Sequence, residues 1–213
     1  MIEVENILFD FNGTLVDDVD LCLELLNNML IYRKHDAIDK KQYLEVFGFP
    51  VIEYYKKAGF IFPKDDFDEL AVYFIEQYSK RNVECPLYED VVRVLQHFKS
   101  LKKKLAIVSA SEINLLRKQL KLNNIDTYFD GVSGLDNIHA GGKIESAKRF
   151  INEKKYNLDK TVFIGDTLHD GEVAEALGVK CILVARGHQS YERLSLSNHI
   201  VVSSLEELIK IIQ

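Results

Sequence analysis

The chain has 213 residues, a formal charge of −6 and 47% hydrophobic residues, enough apolar material for a sizeable core in one domain or a domain with an insertion. The acidic balance argues against nucleic acid or an anionic membrane as partner, since both are bound by basic faces. No apolar run reaches the about eighteen residues of a membrane-spanning helix. The N-terminus enters a strand carrying Glu3 and Glu5, without a basic stretch followed by an apolar one. A cytoplasmic protein with neither nucleic-acid nor membrane partners is expected. Cys22, Cys85 and Cys181 are far apart and odd in number, so they read as buried reduced thiols.

Val4 to Phe9 is predicted as the first strand, apolar nearly throughout, as suits a strand covered on both faces. It delivers Asp10 into the turn Phe11-Asn12-Gly13-Thr14-Leu15. A parallel strand feeding a turn places that carboxylate at the sheet's carboxyl edge, where ligands bind, and makes Asp10 a candidate nucleophile. Gly13 lets the turn present its amides, so Thr14 and the N–H groups of Phe11 to Gly13 form a candidate anion site. Taken alone, the stretch also reads as an ordinary turn after a buried strand.

From Asp17 to Arg33 the pattern becomes helical, with Leu21, Leu25, Met29 and Ile31 recurring and Asp17, Asp18 and Asp20 favouring the N-terminus. Asp39 caps a short helix ending near Phe47, and Pro50 opens another that Gly59 stops. Asp65 to Arg81 is a fourth, carrying Phe67, Leu70, Ala71, Phe74 and Tyr78 on one face. Residues 16–84 thus read as a helical module inserted into an α/β core made of 1–15 and 85–213.

Strand and helix then alternate. Tyr88 to Ser100 is a helix with Val91, Val92, Leu95 and Phe98 inward; Leu105 to Val108 is a strand and Glu112 to Lys121 a helix. Tyr128 to Val132 is a short strand, Ile144 to Lys155 a helix, Thr161 to Ile164 a strand, and His169 to Leu177 a helix stopped by Gly178. Lys180 to Val184 and Ile200 to Val202 are strands, and a terminal helix starts at Ser204 with Glu207 placed for a capping box. This order predicts a doubly wound parallel, Rossmann-like sheet with an all-helical insertion.

Three more strand ends carry polar residues. Ser109-Ala110-Ser111 follows an apolar strand at an expected helix start, where Ser109 and the Ala110 amide suit phosphate oxygens, though a plain helix cap has the same appearance. His139-Ala140-Gly141-Gly142-Lys143 puts Lys143 at another helix N-terminus, a poor place for a cation unless an anion is held there; a solvated lysine is the alternative. Phe163-Ile164-Gly165-Asp166-Thr167-Leu168-His169-Asp170 ends a strand in two carboxylates, Asp166 and Asp170, hard ligands that suit magnesium better than zinc, with a helix cap plus a first-turn acid as the alternative.

A nucleophilic aspartate, a hydroxyl, a lysine and paired acids, each after an apolar strand, are the parts of a phosphoryl-transfer site. In this ordered set the chain resembles the haloacid dehalogenase superfamily, in its phosphoglycolate-phosphatase-like branch, over nearly its whole length. The resemblance implies a phosphatase acting on a small phosphorylated metabolite through an aspartyl phosphate on Asp10. It implies that Ser109 and Lys143 hold the transferring group, and that Mg2+ is bound by Asp10, the main-chain carbonyl of Asn12, and Asp166, with Asp170 supporting the metal or its waters.

One position departs from the family pattern. Where family phosphatases carry a second aspartate that protonates the leaving oxygen and then activates water, this chain has Asn12. An amide has no titratable proton near neutral pH, so slow hydrolysis is expected, and Asn12→Asp is expected to speed it. Besides a phosphatase, the sequence leaves open a phosphotransferase or mutase, a dehalogenase, or a catalytically weak protein that binds a phosphorylated ligand. The loop Phe47-Gly48-Phe49-Pro50 with Tyr54, Tyr55, Lys56 and Lys57 resembles the stretch that faces the site in capped relatives, although the aromatics also suit a cap core. The loop Arg186-Gly187-His188-Gln189-Ser190 reads as an entrance lining or an exposed connector; His139 and His169 are candidate proton carriers. A monomer or homodimer is expected.

Overall fold

The computed structural model describes residues 1–135 and 142–213. Its strands are β1 (Asn6–Phe9), β2 (Lys104–Glu112), β3 (Gly131–Leu135), β4 (Thr161–Gly165), β5 (Lys180–Val184) and β6 (Ile200–Val202). They form one six-stranded sheet in the order β3-β2-β1-β4-β5-β6, with every pairing parallel. The order reverses between β1 and β4, which pair from Asn6 with Thr161 to Phe9 with Ile164. A crevice opens at such a reversal, outside the carboxyl ends of the strands.

The first helices are α1 (Val19–Tyr32), α2 (Lys40–Val46), α3 (Val51–Ala58) and α4 (Phe67–Arg81), all between β1 and β2. The others are α5 (Val91–Ser100), α6 (Ile113–Leu122), α7 (Gly142–Lys154), α8 (Leu168–Leu177), α9 (Tyr191–Leu194) and α10 (Leu208–Ile211). Side chains alternate across a strand. Ile7, Phe9, Leu105, Ile107, Ile164 and Val184 therefore share one buried cluster with α5, α6 and α10, while Leu8, Ala106, Val108, Phe163 and Leu183 share another with α7 and α8. A third cluster lies within the inserted helices, where Leu26, Met29, Leu30, Tyr43, Tyr54, Tyr55 and Leu70 pack together. Leu21 and Leu25 of α1 turn the other way, into the core.

Several boundaries differ from the sequence reading. β2 runs through Ser109, Ala110 and Ser111 to Glu112, with an irregular register after Val108. Its following helix is capped by the Glu112 carboxylate, which accepts from the Asn114 and Leu115 amides at 2.9 Å each. Ile31 and Val92 are exposed, since each falls on the solvent side of its helix. α4 starts at Phe67 rather than at Asp65, with Asp66 as its cap; Asp65 is buried and accepts from the Ile61 amide and the His35 ring. The predicted strand at Tyr128 begins at Gly131, after a 3₁₀ turn. Glu207 reaches the Ser203 amide at 2.8 Å, and Ser204 makes no side-chain cap. The three cysteines are buried and free, as expected.

Candidate active site

Asp10 follows β1 and Asp166 follows β4, so the strand pairing alone brings two carboxylates to the reversal; the Asp10 amide donates to Ile164 O at 2.8 Å. Asp170 arrives from the first turn of α8. Its Oδ2 accepts from the Asp166 amide (3.1 Å), the Thr167 amide (3.0 Å) and the Thr167 hydroxyl (2.8 Å), closing the helix N-terminus as a capping box. Lys143, in the first turn of α7, is buried, with its Nζ 2.8 Å from Asp10 Oδ1 and 2.6 Å from Asp170 Oδ1. Ligand oxygens of Asp10, Asp166 and Asp170 lie within 4.8 Å of one another.

Three buried carboxylates lie together, and two of them, Asp10 and Asp170, face one ammonium group. Burial pushes the Asp10 carboxyl up to about 7, with Lys143 opposing the rise and Asp170 and Asp166 adding to it. Asp166 goes up to about 6, again through burial, with the His188 charge opposing and Asp170 adding. Burial also acts to raise Asp170, but Lys143 and the Thr167 hydrogen bonds outweigh it and hold that carboxyl below its ordinary range. Lys143 is raised by the same two carboxylates in spite of its burial.

Backbone geometry fixes Asp166. Its Oδ1 accepts from the Thr14 hydroxyl at 3.0 Å and its Oδ2 from the His188 amide at 2.8 Å. Gly13, at φ +68°, and Gly187 flank it closely enough that a Cβ on either would run into the carboxylate. Ser109 is buried on β2, beside β1, with its Oγ accepting from the Ser111 amide at 3.1 Å; Ala110 next to it is exposed.

Part of the predicted anion site is already committed. The Thr14 hydroxyl is donated to Asp166, and the Gly13 amide to Val16 O (2.9 Å) and Asp18 Oδ1 (3.0 Å). The Phe11 side chain belongs to the core, leaving only its main chain at the edge. His139 and Ala140 lie outside the described residues.

A second polar group sits between the sheet edge and the inserted helices. Asn12 Nδ2 donates to Asp18 Oδ2 (2.9 Å) and to the Tyr78 hydroxyl, and its Oδ1 accepts from the Ser111 hydroxyl (2.8 Å). Asp18 Oδ1 faces His188 Nε2 at 3.2 Å, and His188 Nδ1 faces the Tyr43 hydroxyl at 2.8 Å. Burial favours neutral His188, but the Asp18 charge and hydrogen bond overcome it and push the imidazole up to about 9. Asp18 is held below its ordinary range: burial is outweighed by His188, Tyr78 and Asn12.

The sequence reading missed Asp18 and Tyr78, which look like an acid at a helix start and one more apolar-face aromatic. The loop at 186–190 is not an exposed connector, since His188 and Gln189 are buried. Phe47 stacks on His188 with centroids 4.5 Å apart, and Gln189 Nε2 donates to Phe47 O at 3.0 Å. Phe49 lies 4.7 Å from the His169 ring, whose Nδ1 faces Glu172 at 2.8 Å. Tyr54 and Tyr55 pack in the buried cluster of the inserted helices, and Lys56 pairs on the surface with Glu53.

A family model described as haloacid dehalogenase-like hydrolase matches residues 7–184, from β1 to the end of β5. The chain belongs to this family. A pyrophosphatase PpaX from Halalkalibacterium halodurans is 24% identical, over 99% of this chain and 97% of that protein. A phosphoglycolate phosphatase from Aquifex aeolicus is 29% identical, over 85% of each. Among solved structures, a haloacid dehalogenase-like hydrolase from Streptococcus pneumoniae superposes with a TM-score of 0.83 at 19% identity, covering 98% of both chains. CbbY from Rhodobacter sphaeroides, in complex with phosphate, gives 0.72 at 18% identity over 96% of each. This haloacid dehalogenase-like protein is thus a phosphatase-type hydrolase with the α/β fold of its family. No helix among its described residues is long and apolar enough to cross a membrane.

Proposed function

We propose that the protein is a magnesium-dependent cytoplasmic phosphatase for small phosphate esters, acting as a monomer or homodimer through an aspartyl phosphate on Asp10. The convergence of Asp10, Lys143, Asp166 and Asp170 at the sheet reversal carries this reading. The donor set suits Mg2+: all-oxygen, buried, and short of positive charge by the measure of the raised Asp10 and Asp166 carboxyls. Asp10, Asp166 and the Asn12 carbonyl would hold the ion, with Asp170 supporting it. When bound there, Mg2+ would offset the charge on the phosphoryl oxygens.

The chain's own groups do the rest. An Asp10 oxygen attacks phosphorus, the bond from phosphorus to the leaving oxygen breaks, and that oxygen departs with the electron pair. Water then attacks the phosphorus of the aspartyl phosphate, which frees Asp10 and releases inorganic phosphate. Lys143 and Ser109 hold the phosphoryl oxygens through both steps. Residues 16–84 act as a cap that closes over the site, excludes bulk water and admits small substrates only. The dock of Phe47 on His188 and Gln189 supports that role.

Asn12 brings no proton to the leaving oxygen, so substrates whose leaving group departs readily as an anion are favoured. The relatives named pyrophosphatase and phosphoglycolate phosphatase make inorganic pyrophosphate and phosphoglycolate the first substrates to test, with pyrophosphate the better because it expels phosphate rather than an alkoxide. Release of phosphate from both, from p-nitrophenyl phosphate and from simple alkyl phosphates should be measured with Mg2+ and with EDTA. The expected result is Mg2+-dependent turnover, with p-nitrophenyl phosphate ahead of alkyl phosphates by about 10²-fold or more in kcat/KM. Phosphate binding without Mg2+-dependent turnover would leave a ligand-binding protein instead.

A further inference from the structure

We propose that Asp18 is the positioning residue of this site, and that position 12 is an amide because it is the hydrogen-bond counterpart of the Asp18 carboxylate. The inference deepens the phosphatase reading, and rests on it only for the location of the active site. Asn12 makes bonds of both polarities. Its Nδ2 donates toward Asp18 and Tyr78, and its Oδ1 accepts from the Ser111 hydroxyl. The Tyr78 hydroxyl spends its own proton on Asp18 Oδ2 at 2.8 Å, so toward Asn12 it offers only lone pairs. A carboxylate at position 12 would satisfy Ser111 and nothing else, and would put an acceptor oxygen where a donor now lies 2.9 Å from Asp18. Two like charges would then meet in a buried site.

Asp18 is fully engaged. It is 1% exposed and receives the Gly13 amide, the Asn12 amide, the Tyr78 hydroxyl, the Cys22 thiol and the His188 ring. Although Asp18, Cys22 and His188 lie near enough together to share an ion, these donors already satisfy the carboxylate, and His188 balances its charge. The partners also come from different parts of the chain. Tyr78 is on α4 and Cys22 on α1, whereas Gly13 and Asn12 are in the turn after Asp10 and His188 follows β5. By holding both the Gly13 amide and the Asn12 side chain, Asp18 sets the turn that carries Asp10 and ties it to the inserted helices.

The expectation that Asn12→Asp restores a missing acid is therefore revised, because the new carboxylate needs an amide at position 18. A charge swap tests this. Thermal unfolding of wild type, Asn12→Asp, Asp18→Asn and the double variant is followed by circular dichroism in EDTA. Intact mass of fresh protein first verifies that Asn12, which precedes glycine, has not deamidated. Each single change should lower Tm by about 5 °C or more, and the double should regain at least half of the summed loss. Turnover of p-nitrophenyl phosphate with Mg2+ should follow the same order, falling in Asn12→Asp and recovering in the swap. The proposal is overturned if Asn12→Asp melts with wild type, or if the double variant melts where the summed single losses place it. Wild-type protein without Mg2+-dependent turnover would remove the phosphatase reading, while the melting cycle would still decide the pairing.

Discussion

Two groups of buried carboxylates share the edge of this sheet, and they reach opposite states. Asp18 meets a charged partner, His188, and four further donors, and its carboxyl lies below the ordinary range. Asp10 and Asp170 share the single ammonium group of Lys143, Asp166 has its rise opposed by the His188 charge, and two of the three are still pushed up, to about 7 and about 6. Burial acts on both groups alike. What differs is whether the fold supplies the compensating charge, and a site that leaves negative charge uncompensated is suited to a cation from outside.

The sharpest way to break this contrast is at Asp10. Asp10→Asn removes the attacking oxygen and also one charge from the crowded group. Turnover of p-nitrophenyl phosphate should fall by about 10⁴-fold or more, while the protein stays folded by circular dichroism. Residual turnover near wild type would end the assignment of Asp10 as nucleophile.

The crowded group was legible in the sequence because each member follows an apolar strand, and a doubly wound sheet brings strand ends together whatever the loops between them do. Asp10, Ser109, Asp166 and Asp170 could be placed at one edge on that ground, as could Lys143 from the helix start after β3. The satisfied group was not legible. Asp18 sits among Asp17 and Asp20, where a helix macrodipole is explanation enough, and its partners lie far away in the chain, at Tyr78 and His188. Pairings between an inserted helix and a loop at the sheet edge follow from packing, which no local pattern records. The same limit explains the strand at Ser109 to Ser111: the serines look like a helix cap, but the Glu112 side chain does the capping one residue before α6 begins.

Metal binding offers the next contrast. Mg2+ at about one hundred times its dissociation constant should stabilise the folded state by about 2.7 kcal/mol, since a ligand bound only by the native state adds RT ln(1 + [L]/Kd). For a chain of this size that is a rise in Tm of about 5–10 °C. Asp166→Asn should lose most of that rise, because it removes one of the few charged ligands, whereas Asp18→Asn should keep it. An unchanged Mg2+ response in Asp166→Asn would show that the ion, if bound, is elsewhere.

The smallest effect concerns pH, and the two groups should respond with opposite signs in EDTA. The folded-state pKa of Asp10 is raised, to about 7, by burial and by Asp170 and Asp166, against Lys143. Its ionisation therefore costs stability, from nothing below the unfolded value near 3.8 to the full amount above about 7. Asp10→Asn should melt close to wild type at pH 4 and about 3 °C higher at pH 8. Asp18 is held down in spite of burial by His188, Tyr78 and Asn12. Its pairing stabilises the fold above its unfolded value, and the contribution is lost as pH falls through its lowered folded value. The deficit of Asp18→Asn should therefore be largest near neutral pH and shrink toward acid. Near pH 9 it should shrink again, as His188 gives up its proton. Parallel pH dependences for the two variants would mean that the fold compensates both groups alike, and the reading of the first as a cation site would lose its electrostatic ground.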